Sequence, residues 1–348
     1  MPDGQLRPSR RPRLGGTAAV VACAAACVAA AVLCACAPPI APPHQVTVET
    51  PAVEVPATET PTPPGPSAIE TVPPEPPPKP LAVSAKRMLA DTAAIEDFGI
   101  RVGGGRAEAG AADYVAGRMR DMGYHVDVEK FPTPGGTSRN LIARLKGSDP
   151  RSLVLGAHLD TRSMTPGAND DAAGCAVLLE IARIVTEEGA PTSIEFVFFG
   201  SEEYNDGHPR DHHRGSRFRV SKMTRKQRSQ TIGMISVDVV AYGRHLYTRT
   251  MGIGPMTMSR YLLRRASALD IGLSYSKDPG PTGWSDHEPY EKAGIPAVWI
   301  ERLQDPKYHT AGDVTEHLQS SALAESARLV LDAVRHLDAA EIARIRPN

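Results

Sequence analysis

Apolar positions along the chain change period several times after Leu81, and each change predicts an element. Ala112, Val115, Met119 and Met122 recur at three- and four-residue steps, which makes one face of a helix ending near Gly123. Two short β-like runs follow at residues 126–131 and 140–145, with Pro132, Pro134, Gly135 and Gly136 forming the turn between them. Residues 152–158, 194–199, 232–240 and 295–300 are four further apolar runs, continuous in the way of strands buried on both faces. Helical periods separate them: Val177, Leu178, Ile181, Ile184 and Val185 in one, and Leu323, Ala327, Val330, Leu331, Val334 and Leu337 in a closing helix. Alternating strand and helix predicts an α/β fold, a three-layer α/β/α sandwich with a mostly parallel central sheet. No internal repeat interrupts it. Sites in such sheets lie beyond the carboxyl ends of the strands.

Composition divides the chain before that domain begins. The whole sequence of 348 residues is 41% hydrophobic and 23% charged, with a formal net charge of -1, which gives no basis for a nucleic-acid partner. The first 80 residues, however, hold more than half of the prolines and four of the five cysteines. Arg7, Arg10, Arg11 and Arg13 precede an apolar run over residues 17–33, the layout of an export signal. Leu33-Cys34-Ala35-Cys36 resembles the bacterial lipobox and predicts Cys36 as the lipidated residue; plain secretion and an uncleaved anchor are the alternatives. Ser9-Arg10-Arg11 also resembles a twin-arginine signal. Residues 37–80 are proline-rich without a sustained apolar period and predict an extended tether. The organisation expected is therefore a signal over 1–36, a tether over 37–80 and a folded domain over 81–348. Such a protein is exported and held by a lipid at a bacterial membrane or envelope. The domain retains only Cys175, a buried helix position by its neighbours, so its core must hold without disulfides.

Candidate chemistry sits at the ends of the apolar runs. His158 and Asp160 end one; alone, a His-x-Asp reads as a solvated strand end. Asn169-Asp170-Asp171 places two adjacent carboxylates before a helix, either as a cap or as metal ligands. Glu202 and Glu203 follow residues 196–199; adjacent acids behind a buried strand repel unless they share a cation or a proton. Asp238 lies inside an apolar run, where a charge needs a partner. Tyr308 and His309 follow the last strand. Separate explanations for all five features are improbable together.

The ordered set resembles the di-zinc exopeptidases of peptidase clan MH, which include bacterial secreted aminopeptidases and glutamate carboxypeptidases. The resemblance covers residues 85–340 and implies the zinc-exopeptidase (phosphorylase/hydrolase-like) sandwich. It implies two Zn2+ ions as cofactors: His158 and Asp238 on one, Glu203 and His309 on the other, and Asp170 bridging both. Glu202 matches the general base, Asp160 the residue that orients His158, and Tyr308 a donor to the developing oxyanion. Ser285-Asp286-His287 matches a signature near the substrate pocket and carries no implied ligand. Two zincs sharing a carboxylate lower the pKa of a shared water to about 7. Glu202 then takes the remaining proton and returns it to the leaving amine, while oxyanion donors contribute about 3 kcal/mol each. The activity implied is removal of N-terminal residues from peptides.

Rival readings keep specific residues in play. A carboxypeptidase needs a basic pocket, for which Arg302 or the eight Lys and Arg over residues 210–228 are candidates. A glutaminyl cyclase works with one zinc, and a silent binding module would have lost ligands. A separate dimerisation domain does not fit in the 70 residues between Asp238 and His309. His208, His212 and His213 read as a solvated loop rather than a third metal site. The basic stretch reads as an exposed face, and Trp284 as either pocket lining or packing.

Overall fold

In the computed structural model, residues 80–203 and 212–347 are described; the predicted signal with Cys36, residues 37–79 of the predicted tether, and His208 lie outside them. Helices α1 (Ala85–Glu96) and α2 (Arg106–Asp121) lead into the hairpin β1 (Val126–Thr133) and β2 (Gly136–Leu145). Then come β3 (Asp149–His158), α3 (Ala173–Glu188), β4 (Thr192–Phe199), α4 (Arg214–Lys222), α5 (Arg225–Gln230) and β5 (Thr231–Val237). The remainder is β6 (Leu246–Thr250), α6 (Thr257–Ala268), β7 (Leu273–Lys277), α7 (His287–Lys292), β8 (Ala297–Glu301), α8 (Ser320–Arg335) and α9 (Ala339–Ile345).

The strands form one eight-stranded sheet in the order β1-β2-β4-β3-β5-β8-β6-β7. The pairs β4–β3, β3–β5, β5–β8 and β6–β7 are parallel; β1–β2, β2–β4 and β8–β6 are antiparallel. Successive side chains of a strand face opposite ways, and here both ways lead to apolar partners. Leu153, Leu155, Phe196 and Phe198 join the larger core with α1, α2, α3 and α8. Val154, Val197 and Phe199 join a second core with Val220, Met223 and Tyr290 from the α4 and α7 side. That two-sided burial makes the three layers.

The run predicted over 232–240 is shorter as a strand. It stops at Val237, and Val239 takes a left-handed φ of 56°, so Asp238 leaves the sheet at its carboxyl end. Strands β6 and β7 and helix α6 were not expected. Both strands are five residues long and lie at one edge, where β7 has three exposed and two half-buried positions and carries no apolar run.

Arg101 pins the approach to the strand ends. Fully buried, it donates from its guanidinium to Leu159 O (2.9 Å), Pro166 O (2.6 Å), Gly167 O (2.9 Å), Gly99 O (3.2 Å) and Ile95 O (3.5 Å). Burial pulls its pKa down, yet a guanidinium stays charged in proteins. Arg101→Met leaves several buried carbonyls unpaired, and we expect a loss of about 3 kcal/mol or more in urea unfolding. A change below about 1 kcal/mol would mean water replaces the guanidinium at little cost.

Candidate metal centre

The carboxyl ends of the adjacent strands β4, β3 and β5 deliver the acids and the first histidine to one place. His158 ends β3, Glu202 and Glu203 lie just past β4, and Asp238 is the first residue after β5. The segment after β8 brings Tyr308 and His309. Asp170 comes from the turn before α3, and the loops after β5 and β8 stitch that turn down. Asn169 N–H and Asp170 N–H donate to the Asp313 carboxylate at 2.7 and 3.3 Å. The Asn169 side chain donates to Asp305 Oδ2 (2.9 Å) and accepts from Ala241 N–H (2.8 Å). Gly174 lets α3 begin this close to β5: a Cβ there would lie 2.0 Å from Val237 O and 2.2 Å from Asp171 Oδ1.

The two adjacent aspartates divide the roles that the sequence left open. Asp171 accepts His158 N–H at 3.0 Å and Gly174 N–H at 3.0 Å, one on each oxygen, so it is the cap. Asp170 Oδ1 lies 3.0 Å from His158 Nε2, and Asp170 Oδ2 lies 2.9 Å from His309 Nε2. One carboxylate thus faces two imidazoles, one from the end of β3 and one from the segment after β8. Around it, Asp238 Oδ1 is 3.6 Å from His158 Nε2, and Glu203 Oε1 is 3.2 Å from His309 Nε2.

Among the described residues, ligand atoms converge within 4.8 Å in two groups: His158 with Asp171 and Asp238, and Asp170 with Glu203 and His309. Since both Asp171 oxygens are taken by backbone N–H groups, Asp170 completes the first group better, and it belongs to the second as well. Asp170 Oδ2, Glu203 Oε1 and Asp238 Oδ1 are buried without a hydrogen-bond partner. Buried carboxylate oxygens left in this way are costly unless a cation meets them. The nitrogen and oxygen donor set suits zinc. Burial works against charge on His309, but Asp170 and Glu203 raise its pKa to about 10. Burial likewise opposes ionisation of Asp170, and the two imidazoles overcome it and hold its pKa below the usual carboxylate range.

Asp160 orients His158 through its backbone rather than its carboxylate, which has a further task. Its carboxylate is 3.8 Å from His158 Nδ1, too far for a hydrogen bond. His158 Nδ1 is instead oriented by the Asp160 backbone carbonyl at 3.0 Å. The Asp160 carboxylate accepts Glu202 N–H (2.8 Å) and Glu203 N–H (3.0 Å), which aims both glutamates. Glu202 is buried, and burial raises its pKa to about 7. The Tyr308 ring stacks on His309 at 3.7 Å, and burial pushes its phenol well above the usual value, so it stays protonated. Ser285 Oγ donates to Asp238 Oδ2 at 2.7 Å, a positioning contact that the signature alone did not reveal.

A cleft of about 350 Å³ opens over these groups, lined by Asp170, Glu202, Glu203, Asp238, Tyr308 and His309 and, across from them, Arg162, His212, Thr282, Gly283 and Trp284. Trp284 is 44% exposed, so lining rather than packing describes it. Arg302 is a correction: it is buried, bonded to Gly243 O (3.0 Å), Ser326 Oγ (3.1 Å) and Glu325, and is absent from the cleft wall. The basic stretch is not uniformly exposed, because Arg219 is drawn inward by Glu129 (2.8 Å) and Glu195 (2.7 Å). His213 is fully buried rather than solvated, and His212 is half-buried. Two carboxylates meet the His213 ring and offset its removal from water. Cys175 is buried as expected, its thiol donating to His158 O at 3.1 Å.

Comparison with known proteins gives the family and the fold. The model of peptidase family M28 matches residues 140–334. Leupeptin-inactivating enzyme 1 of Streptomyces exfoliatus is 30% identical over 238 residues, which are 66% of this chain and about half (51%) of that enzyme's length. Among solved structures, BSAP, a zinc aminopeptidase from Bacillus subtilis, superposes with a TM-score of 0.67 at 19% identity, covering 74% of this chain and 95% of that one. Porphyromonas gingivalis glutaminyl cyclase gives 0.64 at 24% identity, covering 72% and 98%. Both share the fold.

Proposed function

The chain belongs to peptidase family M28, and from that premise we propose that it is a zinc-dependent aminopeptidase with two Zn2+ ions. The observation that carries the reading is the Asp170 carboxylate set between His158 and His309, each oxygen within 3.0 Å of one imidazole nitrogen. His158, Asp170 and Asp238 would hold one ion, and Asp170, Glu203 and His309 the other. When bound, the pair supplies an acidified water and a polarised substrate carbonyl.

The chain's own groups do the rest. Glu202 accepts a proton at its carboxylate and returns it to the leaving amine; a base poised near neutral pH suits both transfers. Tyr308, kept protonated by burial, donates to the carbonyl oxygen as charge develops there. Trp284 offers an exposed ring to the side chain of the terminal residue.

The cleft offers a free substrate carboxylate little to bind. Its described wall carries one guanidinium, Arg162, which lies 3.4 Å from Glu203. Burial holds the His212 pKa near 4, so that ring adds no charge at neutral pH. With Arg302 elsewhere, a carboxypeptidase has little to bind its substrate's terminus. From the sequence we further infer export and a lipid tether through Cys36, with peptides as the substrates.

The test uses the purified full chain with free-amine, N-acetylated and C-terminally amidated peptides, with zinc counted on the same sample. We expect cleavage of free-amine and amidated peptides, none of acetylated ones, and about two zinc per chain. Cleavage of acetylated but not amidated peptides overturns the reading in favour of a carboxypeptidase. Pyroglutamate as product, with about one zinc bound, overturns it in favour of a cyclase.

A further inference from the structure

His213 acts on the same residue through both its backbone and its ring. Its N–H donates to Glu202 O at 2.7 Å, and the next N–H, of Arg214, donates to Ser201 O at 3.0 Å. Both bends need a left-handed backbone, with φ 50° at Ser201 and 58° at His213. The pairing folds the imidazole back on the glutamate it already binds: Nε2 lies 3.0 Å from Glu202 Oε1. On its other side, Nδ1 lies 2.9 Å from Glu288 Oε2. A ring set between two carboxylate oxygens at ion-pair distance, with neither N–H aligned for a hydrogen bond, is attracted to both only when doubly protonated. A neutral ring would turn a lone pair on one of them.

The surroundings supply the countercharge that a buried imidazolium needs. Glu288 is fully buried, and it meets Lys292 and, at 3.6 Å, Arg217. Asp286, buried as well, adds negative charge on the ring's side. Burial disfavours charge on His213, but Glu202 and Glu288 outweigh it and raise its pKa to about 10. Neither convergent ligand group among the described residues includes His213, so its ring serves Glu202 rather than a metal.

We propose that His213 is a positioning residue for Glu202: by holding Oε1 it fixes the carboxylate, leaves Oε2 to exchange the proton, and keeps Glu202 from becoming a further metal ligand. This rests on reading Glu202 as the base. A base displaced by about 1 Å is expected to lose on the order of 100-fold in rate.

The test uses the full chain in two arms. In the first, 15N NMR of the histidine rings in the metal-free protein, with His213 assigned by its loss in H213Q, is expected to show a proton on Nε2; an unprotonated Nε2 overturns the proposal. In the second, zinc-loaded H213A is expected to lose about 100-fold in kcat with KM within twofold and zinc content unchanged. H213Q, whose amide still reaches Oε1, should recover much of that loss. A kcat for H213A within threefold of native, or equal losses in H213A and H213Q with native zinc content, overturns it. Should H213A fail to fold, H213Q and the NMR arm decide. A native chain that cleaves no peptide defeats the aminopeptidase reading, whereas the ring measurement still reports whether His213 holds Glu202.

Discussion

Glutamine in place of Glu202 is expected to lower kcat by about 10³-fold while zinc content, thermal stability and KM stay near native. The substitution preserves volume, and the Glu202 N–H still reaches Asp160 Oδ1 at 2.8 Å, so the backbone of the neighbouring proposed ligand Glu203 remains in place. Lost is an oxygen that accepts a proton and gives it back. Because the metals would still bind and polarise the substrate, residual activity should exceed the uncatalysed rate. Steady-state kinetics with zinc counted on the same preparation checks it. Wild-type kcat in E202Q would remove Glu202 from the mechanism. A fall in kcat that tracks a fall in zinc would recast it as a metal ligand.

How far the site was legible before the structure depended on whether a residue's partner was local. Strands over 153–157 and 194–199 showed as apolar runs because both of their faces meet helices, and the same burial fixes where the runs end, hence where His158 and the glutamates stand. Edge strands β6 and β7 lack that two-sided burial and left no run to read. Asp170 and Asp171 were indistinguishable as neighbours, since what separates them is which backbone N–H groups fold over Asp171. Asp160 gave away its proximity to His158 but not that its carboxylate would turn toward residues 202 and 203. His213 was misread for the same reason. Glu288, which meets its ring, lies 75 positions away, and no periodicity links them. Asp305 was missed entirely, and no role was read for Asn169 or Asp313. An Asn beside two acids and an Asp behind His309 were the available signals, but their mutual bonds exist only once β5 and β8 bring the loops together.

Alanine in place of Asp170 is expected to cost the protein its metals together rather than one at a time. The other proposed ligands serve one ion each, whereas Asp170 presents an oxygen to each histidine, at 3.0 and 2.9 Å. Groups that merely orient a zinc ligand are worth about 10–100-fold in affinity, so loss of a shared ligand should exceed that range and take activity with it. Zinc linkage gives a readout independent of turnover. Saturating zinc should stabilise the native chain by about 2.7 kcal/mol at 100 times its Kd, seen as a rise in Tm, and that rise should vanish in D170A. The variant must still fold, and its circular dichroism should match native metal-free protein, because Asp313 holds the turn through the backbone N–H groups of residues 169 and 170, not through the deleted carboxylate. If D170A instead keeps two zincs at native affinity, Asp170 is not the bridge. Asp171, grouped with His158 and Asp238, would then have to give up its backbone partners to replace it.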